Sequence, residues 1–220
     1  MERKKEMEKN KVNIKEAPLL DDYIFKRTFT KGSPNGILRD FLEAVLDVHL
    51  KNVEVINAEI PKDILEEKGS VLDIRAKLDD ERLIDIEMQV KDEGNIDKRS
   101  TIYMSKNIST QINVGEDYKN LKPSIVISIL NYNRYKRNSY HQIAHMKFEK
   151  SKKEEYIDMR YKGEDEKATE VLEMHFIELL KFIKNNPEIK TKLEEWLYLI
   201  VGKEEKIKMS KLENPEVKKQ

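Results

Sequence analysis

Three polar side chains on two short segments are the residues of this chain best placed to do chemistry. Asp73 lies in VLDIRAKL, residues 71–78, and Glu87 and Gln89 lie in LIDIEMQV, residues 83–90. Apolar and polar residues alternate in both segments, which is typical of β-strands. Because successive side chains of a strand point to opposite faces, we expect Asp73, Glu87 and Gln89 to share one polar face.

Parity restricts how these two strands pair, because their apolar residues must lie on the same face. If the numbers of paired residues sum to 160, Asp73 lies opposite Glu87, and Asp79–Glu81 form a three-residue loop. If they sum to 162, Asp73 lies opposite Gln89. Directly opposed positions are ~4.5–5.5 Å apart and diagonal ones ~7–8 Å, so both registers bring the three side chains close together.

A divalent cation is the ligand that this polar face predicts. Two carboxylates opposed across a strand pair repel each other, and a cation bound between them removes that repulsion. Mg²⁺ prefers carboxylate, carbonyl and water oxygens, and it can activate water and stabilise charge on a phosphate oxygen. The alternative is a solvated face, since exposed charged residues commonly alternate along a strand. The residues themselves leave both interpretations open.

Composition and charge exclude several other classes of protein. The 220 residues include 42 basic and 42 acidic ones, so the net charge does not indicate a nucleic-acid partner and any basic surface must be local. The absence of cysteine excludes disulfides, thiolate catalysis and cysteine-based zinc sites. No apolar run approaches the ~20 residues of a membrane-spanning helix, and residues 1–16 lack the apolar core of a secretory signal. We therefore expect no membrane partner.

The elements that position the polar face follow from hydrophobic periodicity. An amphipathic segment over 21–29 and a helix over about 35–51 precede a strand over 53–60. After the two alternating strands, Asp97 and Gly115 mark the start and the end of another helix. The expected buried face of that helix consists of Ile102, Ser105, Ile108 and Ile112.

The C-terminal half contains further strand and helix patterns. SIVISIL, residues 124–130, is apolar on both faces, as a buried central strand would be. Residues 140–148 are a weaker strand candidate. Apolar residues at helical spacing predict a helix over 168–183, and Pro187 begins a last helix that contains Trp196. The order helix, three strands, helix and strand predicts an α/β layer built on a mixed sheet.

Residues 134–153 form a local basic segment, with seven basic residues and one acidic residue. Basic side chains contact backbone phosphates and interleaved aromatic rings can stack on unpaired bases, so this segment is a candidate DNA-binding surface. Its first basic residues are Arg134, Lys136 and Arg137. The alternative is a solvated loop and strand with ordinary lysines.

Several segments together resemble the PD-(D/E)XK nuclease superfamily. LDIRAK at 72–77, followed by IEMQ at 86–89, resembles the motif of that name. DYIFKRTF at 22–29, the stretch 99–130 and the segment 171–182 resemble further parts of its transposase or recombination-promoting nuclease branch. The order and spacing of these segments along most of the chain carry the resemblance.

The resemblance implies an α/β fold with a restriction-endonuclease-like αβββαβ core, a mixed central sheet and a C-terminal helical extension. It implies a Mg²⁺-dependent DNA endonuclease, with Mn²⁺ as a substitute metal, that acts in recombination or mobile-element movement. By position, Asp73 and Glu87 would hold the metal, with Asp22 as a further ligand. Gln89 stands where the motif has its lysine, and it would position water or phosphate.

The helix after the two strands carries a second set of candidate residues. Arg99, Tyr103 and Lys106 share a helical face by spacing, and Arg99 has the geometry either to hold a phosphate bidentately or to form a surface salt bridge.

Gln89, in the position of the motif's lysine, supplies neither the positive charge nor the basicity of a lysine. The runner-up function is therefore a catalytically inactive DNA- or protein-binding module on a nuclease scaffold.

We expect one domain with charged tails at both ends. Residues 1–16 and 203–220 are the predicted mobile tails, 17–133 the nuclease-like core, and 134–202 its basic segment and helical extension. A third interpretation is a structural domain whose helices after residue 166 form a homodimer interface. The resemblance also implies that the protein is located in the cytoplasm of a bacterium.

Overall fold

The computed structural model describes residues 19–20, 22–30, 36–56, 74–146, 169–185 and 188–201. These residues form a mixed sheet with helices on both faces. Its strands are β1 (Val53–Val55), β2 (Ile74–Leu78), β3 (Leu83–Gln89), β4 (Ser124–Leu130), β5 (His141–His145) and β6 (Leu172–Glu178). The helices are α1 (Asp22–Thr30), α2 (Gly36–Leu46), α3 (Ile96–Ser109), α4 (Leu179–Asn185) and α5 (Lys192–Val201). The strand order is β1-β2-β3-β4-β6-β5, and β4 runs parallel to both of its neighbours.

Several predicted features lie outside the described residues. They are the two terminal tails, residues 57–60 of the first predicted strand, Asp73, residues 147–153 of the basic segment, and Pro187.

The β2–β3 hairpin adopts the first of the two predicted registers. Arg75 pairs with Asp85 and Ile74 with Ile86, so paired numbers sum to 160. The loop has the three predicted residues, Asp79–Glu81, and the Leu78 amide donates to the Arg82 carbonyl across its base at 3.0 Å. Glu81 has a φ of 71°, the left-handed conformation that commonly closes a three-residue hairpin loop.

The larger core lies on the apolar face of this hairpin. Ile84 and Ile86 of β3 pack there, together with Ile127 of the buried central strand β4, which confirms the predicted apolar faces. Trp196 is completely buried against the rings of Phe29 and Phe41, and its indole Nε1 donates to Asp40 Oδ2 at 3.0 Å. The predicted last helix is therefore confirmed as α5, and it closes the core from the C-terminal side.

Helix α3 covers the opposite, polar face of the sheet. Every residue of β3 is buried, so this face is not solvated. The buried residues of α3 are Ile96, Ser100, Tyr103, Met104 and Asn107, whereas Ile102 is 48% exposed. The predicted buried face and the predicted end at Gly115 were therefore wrong. The helix presents its small and polar residues because the sheet beneath is polar, as the 3.1 Å contact between the hydroxyls of Ser100 and Ser128 shows.

Residues 172–178 form the strand β6, so the helix predicted over 168–183 was wrong for this part. Leu172 and Phe176 fit a helical spacing, but with Met174 they also fit alternation, and short apolar runs satisfy both periods. Pairing decided between them, because β6 supplies the second parallel partner of the buried strand β4. The strand predicted over 140–148 is confirmed over 141–145 as β5, which pairs with β6 at one edge of the sheet.

The ends of one helix and one strand differ from those that hydrophobic periodicity predicts. Helix α2 ends at Leu46, because Asp47 adopts a left-handed φ of 53° that a right-handed helix cannot continue. Val48, which lies within the range of the predicted helix, is consequently 37% exposed. Strand β3 ends at Gln89, and Val90, the last residue of the predicted strand, is 40% exposed beyond it.

A chain of polar side chains links β5 to β6 at the sheet edge. His141 Nε2 and His175 Nδ1 lie 2.8 Å apart, and His175 Nε2 lies 2.8 Å from Glu173 Oε1. Burial, with a smaller contribution from the adjacent His175, lowers the pKa of His141 to about 4, although Glu173 opposes the shift. His141 is therefore neutral in the folded protein at neutral pH.

Acidification is expected to destabilise the protein through His141. The unfolded chain binds a proton at His141 near its ordinary pKa of 6.5, and the folded chain does so only near pH 4. The free energy of unfolding should therefore fall between pH 6.5 and pH 4, by at most ~1.4 kcal/mol per pH unit from this group. Urea unfolding at several pH values should show a shallower dependence in His141→Gln. The control is His49→Gln, whose side chain is 87% exposed; equal slopes in the His141 variant and the wild type would contradict the assignment.

Candidate functional site

Glu87 is a buried carboxylate at the centre of the polar face. It lies near the middle of β3 and is 4% exposed. The Arg99 guanidinium donates to Glu87 Oε1 from α3, and it also donates to the Tyr103 hydroxyl at 3.2 Å and to Glu93 at 3.5 Å. A buried carboxylate is costly unless it is paired, and Arg99 supplies the balancing charge.

Gln89 lies two residues further along β3 on the same face, and it is 7% exposed. Its Oε1 accepts a hydrogen bond of 2.6 Å from the hydroxyl of Tyr132, which follows β4. Its Nε2 is buried and has no hydrogen-bond partner among the described residues. The amide therefore has its acceptor satisfied and its donors available.

Asp85 is a second acidic group on this face, and it is 1% exposed. Burial raises the pKa of Asp85 to about 7, although Arg75, the Asn107 amide and Lys106 all oppose the shift. Arg75 Nε lies 3.7 Å from Asp85 Oδ1, and neither carboxyl oxygen makes a hydrogen bond of normal geometry with a described residue. Asn107 is therefore a near neighbour rather than a full partner of Asp85.

The predicted residues of α3 lie where their spacing placed them, facing β3. Arg99 contacts Glu87 and Tyr103, and Lys106 is close enough to lower the pKa of Asp85. Tyr103 is 2% exposed and packs beside Met104. The side chain of Asp22, at the start of α1, lies outside the described residues, as does Asp73.

The basic segment divides into a paired and an exposed part. Arg134 forms an ion pair of 2.7 Å with Asp97 in the first turn of α3, and the Tyr135 hydroxyl donates to the same carboxylate at 2.6 Å. Lys136 and Arg137 are exposed. Asp97, predicted to cap α3, therefore anchors the segment to that helix, and Asn95 occupies the cap position.

A buried carboxylate holds the loop after β4 in place. Glu178, fully buried at the end of β6, accepts from the amides of Arg134 at 2.5 Å and Tyr135 at 3.1 Å. It also accepts from Gln142 Nε2 and Lys181 Nζ, both at 2.6 Å. Four donors on one carboxylate tie this loop to the far edge of the sheet.

Sequence reasoning missed Tyr132. Its signal was present: Tyr132 follows β4 as Gln89 ends β3, and the ends of parallel strands meet at the same edge of a sheet. The Asn131 amide donates to the Gln89 carbonyl at 3.0 Å, which extends the pairing of the two strands and brings Tyr132 alongside.

Glu87 carries the oxygen donors that a metal ion on this face could use, since carboxylate oxygens are hard donors of the kind that Mg²⁺ binds. Among the residues that the structure describes, no group of three or more His, Cys, Asp or Glu side chains is placed to hold a metal ion.

No helix in the described ranges is long and apolar enough to cross a membrane.

Comparison with known proteins places the chain in a family. No curated protein and no solved structure matches the chain. The family model for PD-(D/E)XK nuclease family transposase matches residues 19–220, and the mixed sheet with its flanking helices is consistent with the restriction-endonuclease-like fold of such proteins. The chain therefore belongs to the PD-(D/E)XK nuclease family transposases, which supports a nuclease-like function.

Proposed function

We propose that the protein is a Mg²⁺-dependent DNA endonuclease that hydrolyses phosphodiester bonds during recombination or mobile-element movement, with Mn²⁺ as a substitute metal. The observation that carries this proposal is the placement of Glu87 and Gln89. Both are buried on one strand face, beneath a helix whose Arg99 donates to Glu87. Two costly polar groups held side by side in this way favour a site over a solvated surface.

Asp73 and Glu87 are the proposed metal ligands, and Asp22 is a further candidate. Asp73 directly precedes Ile74 in the chain, and Ile74 pairs with Ile86 in the observed register. A bound Mg²⁺ would supply an activated water and stabilise charge on the phosphate oxygen. Gln89 would donate from its Nε2 to that water or to a phosphate oxygen.

Arg99 is the proposed phosphate-binding residue. Its guanidinium holds Glu87 and reaches Tyr103, so it is already positioned at the site. A planar guanidinium matches two phosphate oxygens at once, which an ammonium group cannot do. Exposed Lys136 and Arg137 would contact backbone phosphates further away, while Arg134 holds their loop on Asp97.

Plasmid cleavage tests the proposal. Supercoiled plasmid is incubated with the protein and Mg²⁺, Mn²⁺, Ca²⁺ or EDTA, beside the Asp73→Ala variant. We expect nicking that needs Mg²⁺ or Mn²⁺ and is lost in the variant, whose circular dichroism spectrum should match the wild type. Cleavage that persists in Asp73→Ala would refute the assignment of the site.

A second candidate function is binding to DNA or to a protein partner without cleavage. Gln89 in place of lysine favours it, and so does the ion pair in which Arg99 engages Glu87. Fluorescence anisotropy with labelled duplex DNA separates the two functions. Binding that Asp73→Ala retains, with no cleavage under any of the metals, would support the second.

A further inference from the structure

The side-chain amide of Gln89 is held in one orientation. The Tyr132 hydroxyl donates to Gln89 Oε1 at 2.6 Å, and this contact leaves Nε2 as the open end of the amide. Burial raises the pKa of the Tyr132 hydroxyl, and the negative charges of Asp92 and Glu87 raise it further. The hydroxyl therefore keeps its proton at neutral pH, and it needs an acceptor, which Oε1 provides.

The ring of Tyr132 is fixed by an apolar cluster. It is 9% exposed and packs with Ile96, Leu130 and Phe176. Ile96 is the first residue of α3, the helix that also carries Arg99. The same helix therefore positions Tyr132, which binds Gln89, and Arg99, which binds Glu87. A ring held on several sides places its hydroxyl at one point, which a flexible side chain could not do.

The open end of the amide requires an acceptor. Gln89 is 93% buried (7% exposed), and its Nε2 has no hydrogen-bond partner among the described residues. Buried polar groups in native proteins are nearly always satisfied, and exceptions commonly lie at functional positions. Gln89 and Glu87 are two residues apart on β3 and share one face, so the amide lies on the same side of the sheet as the Glu87–Arg99 ion pair.

We propose that Tyr132 is a positioning residue that orients the Gln89 amide so that Nε2 donates to a non-bridging oxygen of the DNA phosphate. This inference rests on the proposed nuclease function and deepens it. A lysine would donate to the phosphate directly. A glutamine can present either its amide oxygen or its NH₂ group to the substrate, and the hydrogen bond from Tyr132 fixes which of the two it presents.

A double-mutant cycle tests the coupling of the two residues. We expect Tyr132→Phe to lower kcat by about tenfold, with KM within about twofold of the wild type, because the amide can then rotate. In a Gln89→Ala background the same change should have almost no effect. A structural role alone would lower the activity equally in both backgrounds, and that result would overturn the proposal.

Nuclear magnetic resonance gives a readout that does not depend on cleavage. The side-chain ¹⁵N–¹H signals of Gln89, assigned by their loss in Gln89→Ala, should shift when a short phosphorothioate duplex is added with Ca²⁺. In Tyr132→Phe the shift should be reduced. Signals that do not respond to the duplex would overturn the proposal even if the wild type cuts DNA. If the wild type cuts no DNA but the signals respond, the nuclease function fails while the assignment of Gln89 and Tyr132 is supported.

Discussion

Glu87→Gln is expected to reduce plasmid cleavage by about 10³-fold, because losing the proposed metal-binding carboxylate would remove several kcal/mol of transition-state stabilisation. The substitution keeps the shape of the side chain and leaves an oxygen that can accept from Arg99. It removes only the charge that a divalent cation requires. Calorimetric titration with Mn²⁺ should show binding that is much weaker than in the wild type, so the effect is measurable without any substrate.

Glu93→Gln is the matched control for this variant. Glu93 also contacts Arg99, at 3.5 Å, but its side chain is 58% exposed and lies outside β3. We expect this control to cleave DNA and to bind Mn²⁺ as the wild type does. Wild-type affinity for Mn²⁺ in Glu87→Gln would contradict the role of Glu87 as a metal ligand, whatever happens to cleavage.

Glu178→Ala is expected to lower the free energy of unfolding by about 3–5 kcal/mol, since it breaks a buried ion pair from one side. Glu178 is fully buried, and its partner Lys181 has a side chain that is 11% exposed. The variant leaves that ammonium group without its carboxylate and removes the acceptor from the amides of Arg134 and Tyr135. Urea unfolding measures the loss.

Two further variants make this result interpretable. Glu188→Ala changes an exposed glutamate, and its effect should stay within ~0.5 kcal/mol. Glu178→Gln keeps an acceptor for the two amides and loses only the charge, so it should be destabilised less than Glu178→Ala. It also serves if the alanine variant does not fold. A loss below ~1 kcal/mol in Glu178→Ala would contradict the stabilising role assigned to this buried carboxylate.

Strand alternation was sufficient to predict the hairpin and its polar face. The side-chain period of a strand is a local property, so Glu87 and Gln89 were placed on one face from the sequence alone. Two registers satisfied the same parity, and the structure selected the one with a three-residue loop closed by Glu81. That choice depends on backbone conformation at one residue, which alternation does not report.

Periodicity failed where a neighbouring element decided the outcome. Residues 172–178 satisfied helix and strand patterns equally, and the open side of β4 required a strand. The polar face of β3 fitted a solvated surface until α3 covered it with Ser100 and Asn107, while Ile102 stayed exposed. Burial depends on what packs against a segment, and this information lies elsewhere in the chain.

The sequence by itself determined the two polar strands, the central buried strand and the resemblance to a family that the match over residues 19–220 confirms. Only the tertiary structure decided which groups meet. Tyr132 reaches Gln89 from 43 positions away, and Glu178 binds the amide of Arg134 from 44 positions away. Such contacts arise because parallel strands bring distant segments to one edge of the sheet, and no local spacing records them.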